Sequence, residues 1–190
     1  MAKRSVPPFR PVYPSPAALI TAAGEDGKPN IITLGEVYNL SIAEPVIVGI
    51  SIAKGRHTHE LITRTGEFVV NLPPARILEK VDRCGSVSGR DVDKFAAFGL
   101  TTVPATRVRP PLIAECPVNL ECRLLDVEEI GDHDMFKGEV LVQHVDEEVL
   151  DESGRIRVSA LDPLCYIMGE YWSVGRQLGS HGFTSQTRRP

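Results

Sequence analysis

Pro45-Val46-Ile47-Val48-Gly49-Ile50-Ser51-Ile52 is the segment from which the fold can be read, because it is mostly apolar and rich in β-branched residues. Its length suits one buried strand. Residues 53–58 follow as a short loop, and Thr58 opens a helical pattern that ends at Gly66. Residues 67–72 predict the next strand. Strand, loop, helix and strand therefore follow one another without an intervening linker.

The loop that enters this helix carries two candidate cations, Arg56 and His57. We expect Thr58 to be the N-cap, because its hydroxyl can accept a hydrogen bond from a free backbone N–H of the first turn. Free N–H groups and the positive end of the helix dipole favour an anion, and phosphate is the usual one. The alternative is an ordinary capped helix that binds nothing.

Composition excludes several classes of protein. The chain has 190 residues, of which 42% are hydrophobic and 24% charged, as in an ordinary globular protein. The net charge of −4 argues against nucleic acid or an anionic membrane as a partner, since both select basic surfaces. Neither a membrane-spanning apolar run nor a signal peptide can be read from the sequence, so we expect a cytoplasmic protein with no membrane partner.

Turn signals divide the chain into many short strands. Residues 1–16 hold five prolines and predict an extended arm, followed by a single domain at residues 17–190. Asp26-Gly27 predicts a tight hairpin. From Cys116 onward apolar residues alternate with polar ones, including Asn119 and Glu121, as in a half-exposed antiparallel strand.

Helices are confined to connections between these strands. They are predicted at residues 75–83 and 91–98, with a polar loop at residues 84–91 between them and Gly99 as the end of the second. The prediction is a mainly β protein with short helices, folded as a closed or split antiparallel β-barrel, because closure removes exposed sheet edges.

Few catalytic motifs are present. The glycine-rich fingerprints of dinucleotide and triphosphate sites and the nucleophile elbow are all missing. Asp132, His133 and Asp134 are better explained as a solvated turn than as metal ligands, so we predict no metal. The four cysteines have no zinc-type spacing and are expected to be free thiols. Cys84 is either a buried structural thiol, which we favour, or a redox thiol.

Several motifs together resemble those of the flavin reductase-like family of FMN-binding split barrels. They are Thr33-Leu34-Gly35, Ser41, Pro45, Ile50-Ser51-Ile52, Arg56-His57-Thr58 and Glu67-Phe68-Val69-Val70-Asn71-Leu72. The motifs that resemble the flavoredoxin branch are Cys84-Gly85, Ser88-Gly89, Asp93-Lys94-Phe95, Gly99-Leu100-Thr101, the segment at residues 115–122, the segment at residues 131–136 and Glu139-Val140.

The resemblance implies a homodimeric split barrel with one FMN per subunit, bound near the dimer interface. It assigns Arg56, His57 and Thr58 to the phosphate. The residues that it places along the isoalloxazine edge are Thr33, Leu34, Gly35, Ser51 and Ile52, and those that complete the pocket are Asn71, Ser88 and Lys94. For Lys94, the alternative is an ordinary surface lysine beside acidic neighbours.

Two positions depart from the family pattern. Glu36 stands where many similar proteins have an aromatic residue, and its charge would disfavour an anionic reduced flavin. His57 likewise occupies a position that is often aromatic. Both departures bear on the reduction potential of the flavin and on the choice of substrate, and not on the fold.

Three functions fit the resemblance. The first is an NAD(P)H-dependent flavin reductase. The second is a flavoredoxin-like carrier that exchanges electrons with a redox protein partner, and the third is an FMN-binding module without turnover. In the reductase the flavin performs the chemistry, so we predict no catalytic acid or base.

Overall fold

Antiparallel strands joined by short helices make up most of residues 2–185, the part of the chain that the computed structural model describes. The strands are β1 Ser15–Pro16, β2 Ala18–Ala23, β3 Pro29–Leu34, β4 Val37–Ser41, β5 Ile47–Ala53, β6 Glu67–Leu72, β7 Thr102–Val103, β8 Leu112–Ile113, β9 Val118–Ile130, β10 His133–Val145, β11 Leu164–Ile167 and β12 Glu170–Ser173. The α-helices are α1 His57–Thr65, α2 Leu78–Ser86, α3 Lys94–Phe98 and α4 Val158–Leu161, with 3₁₀ turns at Ala75–Ile77 and Glu147–Val149.

Seven strands form the main sheet, in the order β3-β2-β6-β9-β10-β5-β4, and every neighbouring pair is antiparallel. The two edge strands, β3 and β4, are consecutive in the chain and are joined only by Gly35 and Glu36. The sheet must therefore curl until its two edges approach each other. The result is a barrel that is split along the free edge of β3, which confirms the predicted fold class.

The helices pack on both sides of that edge strand. Ile62 of α1 lies in the barrel interior with Ile32 of β3 and fully buried residues such as Phe68. On the outer face, Ile31 of β3 packs with Val81 of α2 and with residues of α3. This follows from the two-residue period of a strand, which sends neighbouring side chains to opposite faces. β3 is thus held between α1 and α2.

Turn chemistry follows the sequence closely. Gly27 has φ 78° in the hairpin between β2 and β3, as the Asp-Gly pair predicts. Gly66 and Gly99 end α1 and α3 with φ values of 70° and 61°. These positive values suit glycine, which has no Cβ to clash with the backbone.

The helix starts differ from the predictions. α1 begins at His57, so its N-cap is Arg56 and Thr58 is already inside the first turn. α2 continues through Ser86, and residues 84–86 are helical where a loop was predicted. α3 begins at Lys94, because the carboxylate of Asp93 accepts a hydrogen bond from the backbone N–H of Ala96 and caps the helix there.

The arm is extended up to β1, an edge strand that pairs with β11. Proline is tolerated there because one side of an edge strand needs no donor. Met1 of the predicted arm and residues 186–190 of the predicted domain lie outside the described residues. Across residues 2–185, every helix is too short or too polar to cross a lipid bilayer.

Two predicted exposures are wrong. Glu121 lies on the outer face of β9, opposite to Leu120 and Cys122 of the barrel interior, yet it is fully buried, and Asn119 is nearly so. The Glu121 carboxylate accepts hydrogen bonds from the backbone N–H groups of Thr106, Arg107 and Val108. Simple alternation fails here because the loop at residues 104–111 covers this face of the strand.

Candidate functional site

An elongated cleft runs along the free edge of β3, where the barrel is split. Its first part is a cavity of about 250 Å³ beneath the turn from β3 to β4. The residues that line this part include Ile32, Thr33, Leu34, Gly35, Glu36, Ala53, Arg56, Asp82, Gly85, Ser86, His133, Tyr166 and Tyr171, together with Arg10 of the arm. Edge strands have unpaired backbone N–H and C=O groups, which can bind a planar polar ligand.

The second part of the cleft lies at the start of α1 and has a volume of about 230 Å³. Its lining residues are Asn30, Ile32, Gly55, Arg56, His57, Thr58, Gly85, Val87, Ser88, Gly89, Arg90 and Lys94. Ile32, Arg56 and Gly85 line both parts, so the two parts adjoin each other. The arrangement suits a ligand with a flat ring at one end and an anionic group at the other.

Lys94 is the buried cation of the second part. Its side chain is only 4% exposed, and its Nζ donates hydrogen bonds to the carbonyl oxygens of Ile31, at 2.7 Å, and Cys84, at 2.6 Å. An ammonium has three donors, so one remains for a ligand. Burial lowers the pKa of Lys94, and a bound anion would offset this effect by favouring the charged form. The surface-lysine alternative is wrong.

Thr58 and Asn30 form the wall of the second part that faces the barrel interior. The Thr58 hydroxyl is buried and accepts a hydrogen bond of 2.8 Å from Nδ2 of Asn30, which leaves its own proton free to be donated. Asn30 in turn fits against Gly89, where an added Cβ would collide with the amide. The hydroxyl of Thr58 is therefore oriented by a side chain from β3 rather than used as a cap.

His57 supplies little positive charge near neutral pH. Burial and then the charge of Arg90 lower its pKa, so the neutral imidazole is favoured. Its Nδ1 is buried and has no hydrogen-bond partner within residues 2–185; it lies 3.9 Å from Oε2 of Glu60. Arg56, at the N-cap of α1, Arg90 and Lys94 are the cations that line this part of the cleft.

The aromatic and charged groups at the mouth of the first part come from distant segments. Tyr166 of β11 and Tyr171 of β12 pack edge to face, with ring centroids 5.3 Å apart. The Arg10 guanidinium lies over the Tyr166 ring and forms an ion pair with Glu36. The negative charge of Glu36 at the edge of the cleft is therefore balanced by the positive charge of Arg10.

Eight of the predicted site residues lie together along this cleft. They are Thr33, Leu34, Gly35, Arg56, His57, Thr58, Ser88 and Lys94. Ser51, Ile52 and Asn71 are not among the described residues that line it. Ile52 is fully buried in the barrel interior, and Ser51 lies on β5, where its backbone N–H donates to the carbonyl of Glu36. Asn71 bonds to backbone and side-chain groups of β2, β8 and β9.

Other cleft residues were missed by sequence reasoning. Asn30 sits in a strand with no polar pattern, and Arg10 and Arg90 belong to segments that read as an arm and a loop. Tyr166 and Tyr171 belong to an aromatic C-terminal segment, which was the only available signal. No spacing rule places these residues beside α1.

The structure also places the residues that were considered for thiol and metal chemistry. Cys84 is buried, as the structural alternative predicts, and burial raises its pKa to about 11, against the opposing effect of Lys94. Within residues 2–185, no three His, Cys, Asp or Glu side chains are grouped so that they could hold a metal ion. Asp134 instead binds the ring of His59 at 2.7 Å.

Known proteins with similar sequences and structures place the chain in a family. The family model of the flavin reductase like domain matches residues 10–175. A protein of Archaeoglobus fulgidus without a described function is 41% identical over 136 residues, which cover 71% of this chain and 75% of that protein. A flavoredoxin from Methanosarcina acetivorans superposes with a TM-score of 0.85 at 32% identity, over 97% of this chain and 99% of the other. An FMN-binding protein from Thermus thermophilus, with bound 1-cyclohex-2-enone, gives a TM-score of 0.79 at 29% identity, over 95% and 97% of the two chains.

Proposed function

The chain belongs to the flavin reductase-like family, and on that premise we propose that it is an NAD(P)H-dependent flavin reductase that holds FMN in the cleft along β3. The observation that carries the proposal is that the two cavities adjoin each other. A ring-sized space lies next to a space that contains a buried lysine, a buried hydroxyl and the start of α1.

The residues of the second part fit a phosphate. Lys94 Nζ has a donor to spare, the Thr58 hydroxyl can donate its proton, and the first N–H groups of α1 have no partner within the helix. Arg56 adds a second positive charge at the same helix end. Charge-assisted hydrogen bonds of this kind are roughly twice as strong as neutral ones.

The residues of the first part fit the isoalloxazine. The backbone of Thr33, Leu34 and Gly35 lies at the free edge of β3, where its polar groups can meet the polar edge of the ring. When bound, FMN supplies the transfer of hydride or electrons, so the protein needs to bind and orient its reactants rather than provide an acid or base. Glu36 and Arg10 stand at the mouth, where a co-substrate would approach.

An electron carrier is the second candidate. Flavoredoxins are among the solved structures most similar to this chain, and this observation favours exchange of electrons with a redox protein partner. The two candidates differ in turnover. Steady-state oxidation of NADH or NADPH with free FMN supports the reductase. A yellow protein that holds its flavin tightly and oxidises neither nucleotide supports the carrier. A protein that takes up no flavin would refute both.

We also propose that the protein is a homodimer. Apolar side chains on and near β4 are exposed, among them Tyr38, Leu40 and Ile42, and the arm exposes Val12 close to the same strand. Such a patch is typical of an interface between subunits. Sedimentation should give twice the chain mass of 20.8 kDa; a stable FMN-bound monomer at micromolar concentration contradicts the proposal.

A further inference from the structure

Asn30 lies on β3 at the point where the buried groups of the proposed phosphate site meet. It is 6% exposed, and both it and Thr58, which is 1% exposed, line the second part of the cleft. Its Nδ2 donates to Oγ1 of Thr58 at 2.8 Å. At the next position of the same strand, the carbonyl of Ile31 accepts from Nζ of Lys94. Two consecutive residues of β3 therefore hold the Thr58 hydroxyl and the Lys94 ammonium in place.

The hydrogen bond from Asn30 determines which role the Thr58 hydroxyl can play. An amide nitrogen has only protons to offer, so the hydroxyl must accept from it and direct its own proton elsewhere. Within residues 2–185 that proton has no hydrogen-bond acceptor. A ligand with acceptor oxygens would supply the missing partner, and a phosphate group has three strong acceptor oxygens. The buried hydroxyl is thus prepared as a donor before any ligand arrives.

Gly89 provides the room that the Asn30 amide needs. An added Cβ at this glycine would lie 1.8 Å from Oδ1 and 2.5 Å from Cγ of Asn30, which is far inside contact distance. Any other residue at this position would therefore displace the amide. The side chain of Asn30 fits between the backbone of Gly89 on one side and the hydroxyl of Thr58 on the other.

From these contacts we propose that Asn30 is a positioning residue for the flavin phosphate, which acts by making the Thr58 hydroxyl a hydrogen-bond donor. The proposal rests on the proposed function, since it needs the phosphate at the start of α1. Asn30 carries no charge of its own, and its contribution is a preference for FMN over riboflavin that is exerted through Thr58.

The test compares the affinities of the flavin-free full chain for FMN and riboflavin, measured by quenching of flavin fluorescence. Asn30→Ala leaves the hydroxyl free to rotate, so FMN should weaken about threefold to tenfold, the range of one hydrogen bond. Riboflavin has no phosphate and should change by less than about twofold. Asn30→Asp should weaken FMN further, because a carboxylate accepts the Thr58 proton and adds a negative charge near the phosphate.

Thr58→Val shows whether Asn30 acts through the hydroxyl. Valine has nearly the shape of threonine but no proton to donate, so this variant alone should weaken FMN about threefold to tenfold. Asn30→Ala added to Thr58→Val should then change the FMN affinity by less than about twofold, because the positioned group is already gone. Gly89→Ala displaces the amide instead of removing it. It should weaken FMN in the wild type and have little effect in the Asn30→Ala background.

Asn119→Ala is the matched control for the loss of a buried amide. Asn119 is 7% exposed, and its Nδ2 donates to Oδ1 of Asn71 and to the carbonyl of Ile113, but it does not line the cleft. Its removal should lower the stability in urea and leave the ratio of the FMN and riboflavin affinities unchanged. Circular dichroism establishes that each variant is folded. If Asn30→Ala does not fold, Gly89→Ala with and without Thr58→Val decides.

Four results overturn the proposal. An unchanged FMN affinity in Asn30→Ala shows that Thr58 needs no positioning, and equal losses for FMN and riboflavin give Asn30 a structural role. An equal loss of FMN affinity with and without Thr58→Val shows that Asn30 acts on the phosphate directly. These three results leave the proposed function intact wherever the wild type binds FMN more tightly than riboflavin. Equal binding of the two flavins by the wild type removes the phosphate site, and with it both the positioning role and the proposed function.

Discussion

Replacement of Lys94 by methionine tests the phosphate end of the cleft most directly. Methionine has a similar length but neither charge nor donors. Because Lys94 Nζ already donates to the carbonyls of Ile31 and Cys84, its third donor is the one that a phosphate would use. A hydrogen bond to a charged group contributes roughly 1.5–3 kcal/mol, so Lys94→Met should weaken FMN about tenfold to a hundredfold. Riboflavin, which has no phosphate, should lose little.

The affinity for FMN should also depend on pH in the wild type but not in Lys94→Met. Burial lowers the pKa of Lys94 in the ligand-free protein, and a bound phosphate would raise it again. Above the lowered pKa, binding of FMN must therefore take up a proton. The affinity for FMN should fall as pH rises through that pKa, with no such slope for riboflavin or for Lys94→Met.

The assay is a fluorescence titration of the flavin-free protein with each flavin at several alkaline pH values. Lys80→Met is the matched control, because Lys80 Nζ also donates to a carbonyl, that of Gly99, but lies outside the cleft. It should change neither affinity. Equal losses for FMN and riboflavin in Lys94→Met would falsify the assignment, because Lys94 would then support the fold rather than the phosphate.

Three further outcomes are expected. Arg56→Ala should weaken FMN about tenfold to a hundredfold and leave riboflavin unchanged, by the same charge-assisted argument, and isothermal titration with both flavins measures it. Glu36→Gln should raise the midpoint potential of the bound flavin, because it removes a negative charge near the ring, and Arg10→Ala should lower it, because it removes the positive charge paired with Glu36. Spectroelectrochemistry that shows no shift in either variant contradicts this. Burial opposes ionisation of Glu121, but hydrogen bonds from Thr106, His144 and Arg107 outweigh it and lower its pKa to about 2. The ionised carboxylate therefore stabilises the fold above its unfolded pKa, and this contribution is lost as pH falls toward about 2. Glu121→Gln should lower the free energy of unfolding by about 1–3 kcal/mol in urea denaturation at pH 7. Below about pH 4, the stability of the variant should depend less on pH than that of the wild type.

Individual strands and turns could be predicted because their causes are local. An Asp-Gly pair needs only its own backbone to form a hairpin, and a glycine with positive φ ends a helix whatever packs on it. The N-cap of α1 is Arg56, two residues before the predicted Thr58, for a tertiary reason. The Thr58 hydroxyl accepts from Asn30, which lies 28 positions earlier in the chain, and so it is not used as a cap.

The burial of polar residues could not be predicted in this way. Alternation predicts the face of a strand to which a side chain points, but not what covers that face. Glu121 was expected at the surface, yet the loop at residues 104–111 lies across it and supplies three backbone donors. Lys94 is buried by the same kind of long-range contact, between α3 and the edge of β3.

Two asparagines show which features of the candidate site cannot be predicted from the sequence. Family motifs assign Asn71 to the pocket, but β6 is a central strand, and the Asn71 amide bonds to the neighbouring segments of the sheet. Asn30 carries no motif, yet β3 is the edge strand at the split, so its amide reaches Thr58 and the cleft. The same residue type has different surroundings because the strand order differs, and strand order depends on pairing between distant segments. The residues that sequence reasoning placed along the cleft, such as Arg56 and Gly35, lie at ends of elements, where a free backbone group follows from chain order alone.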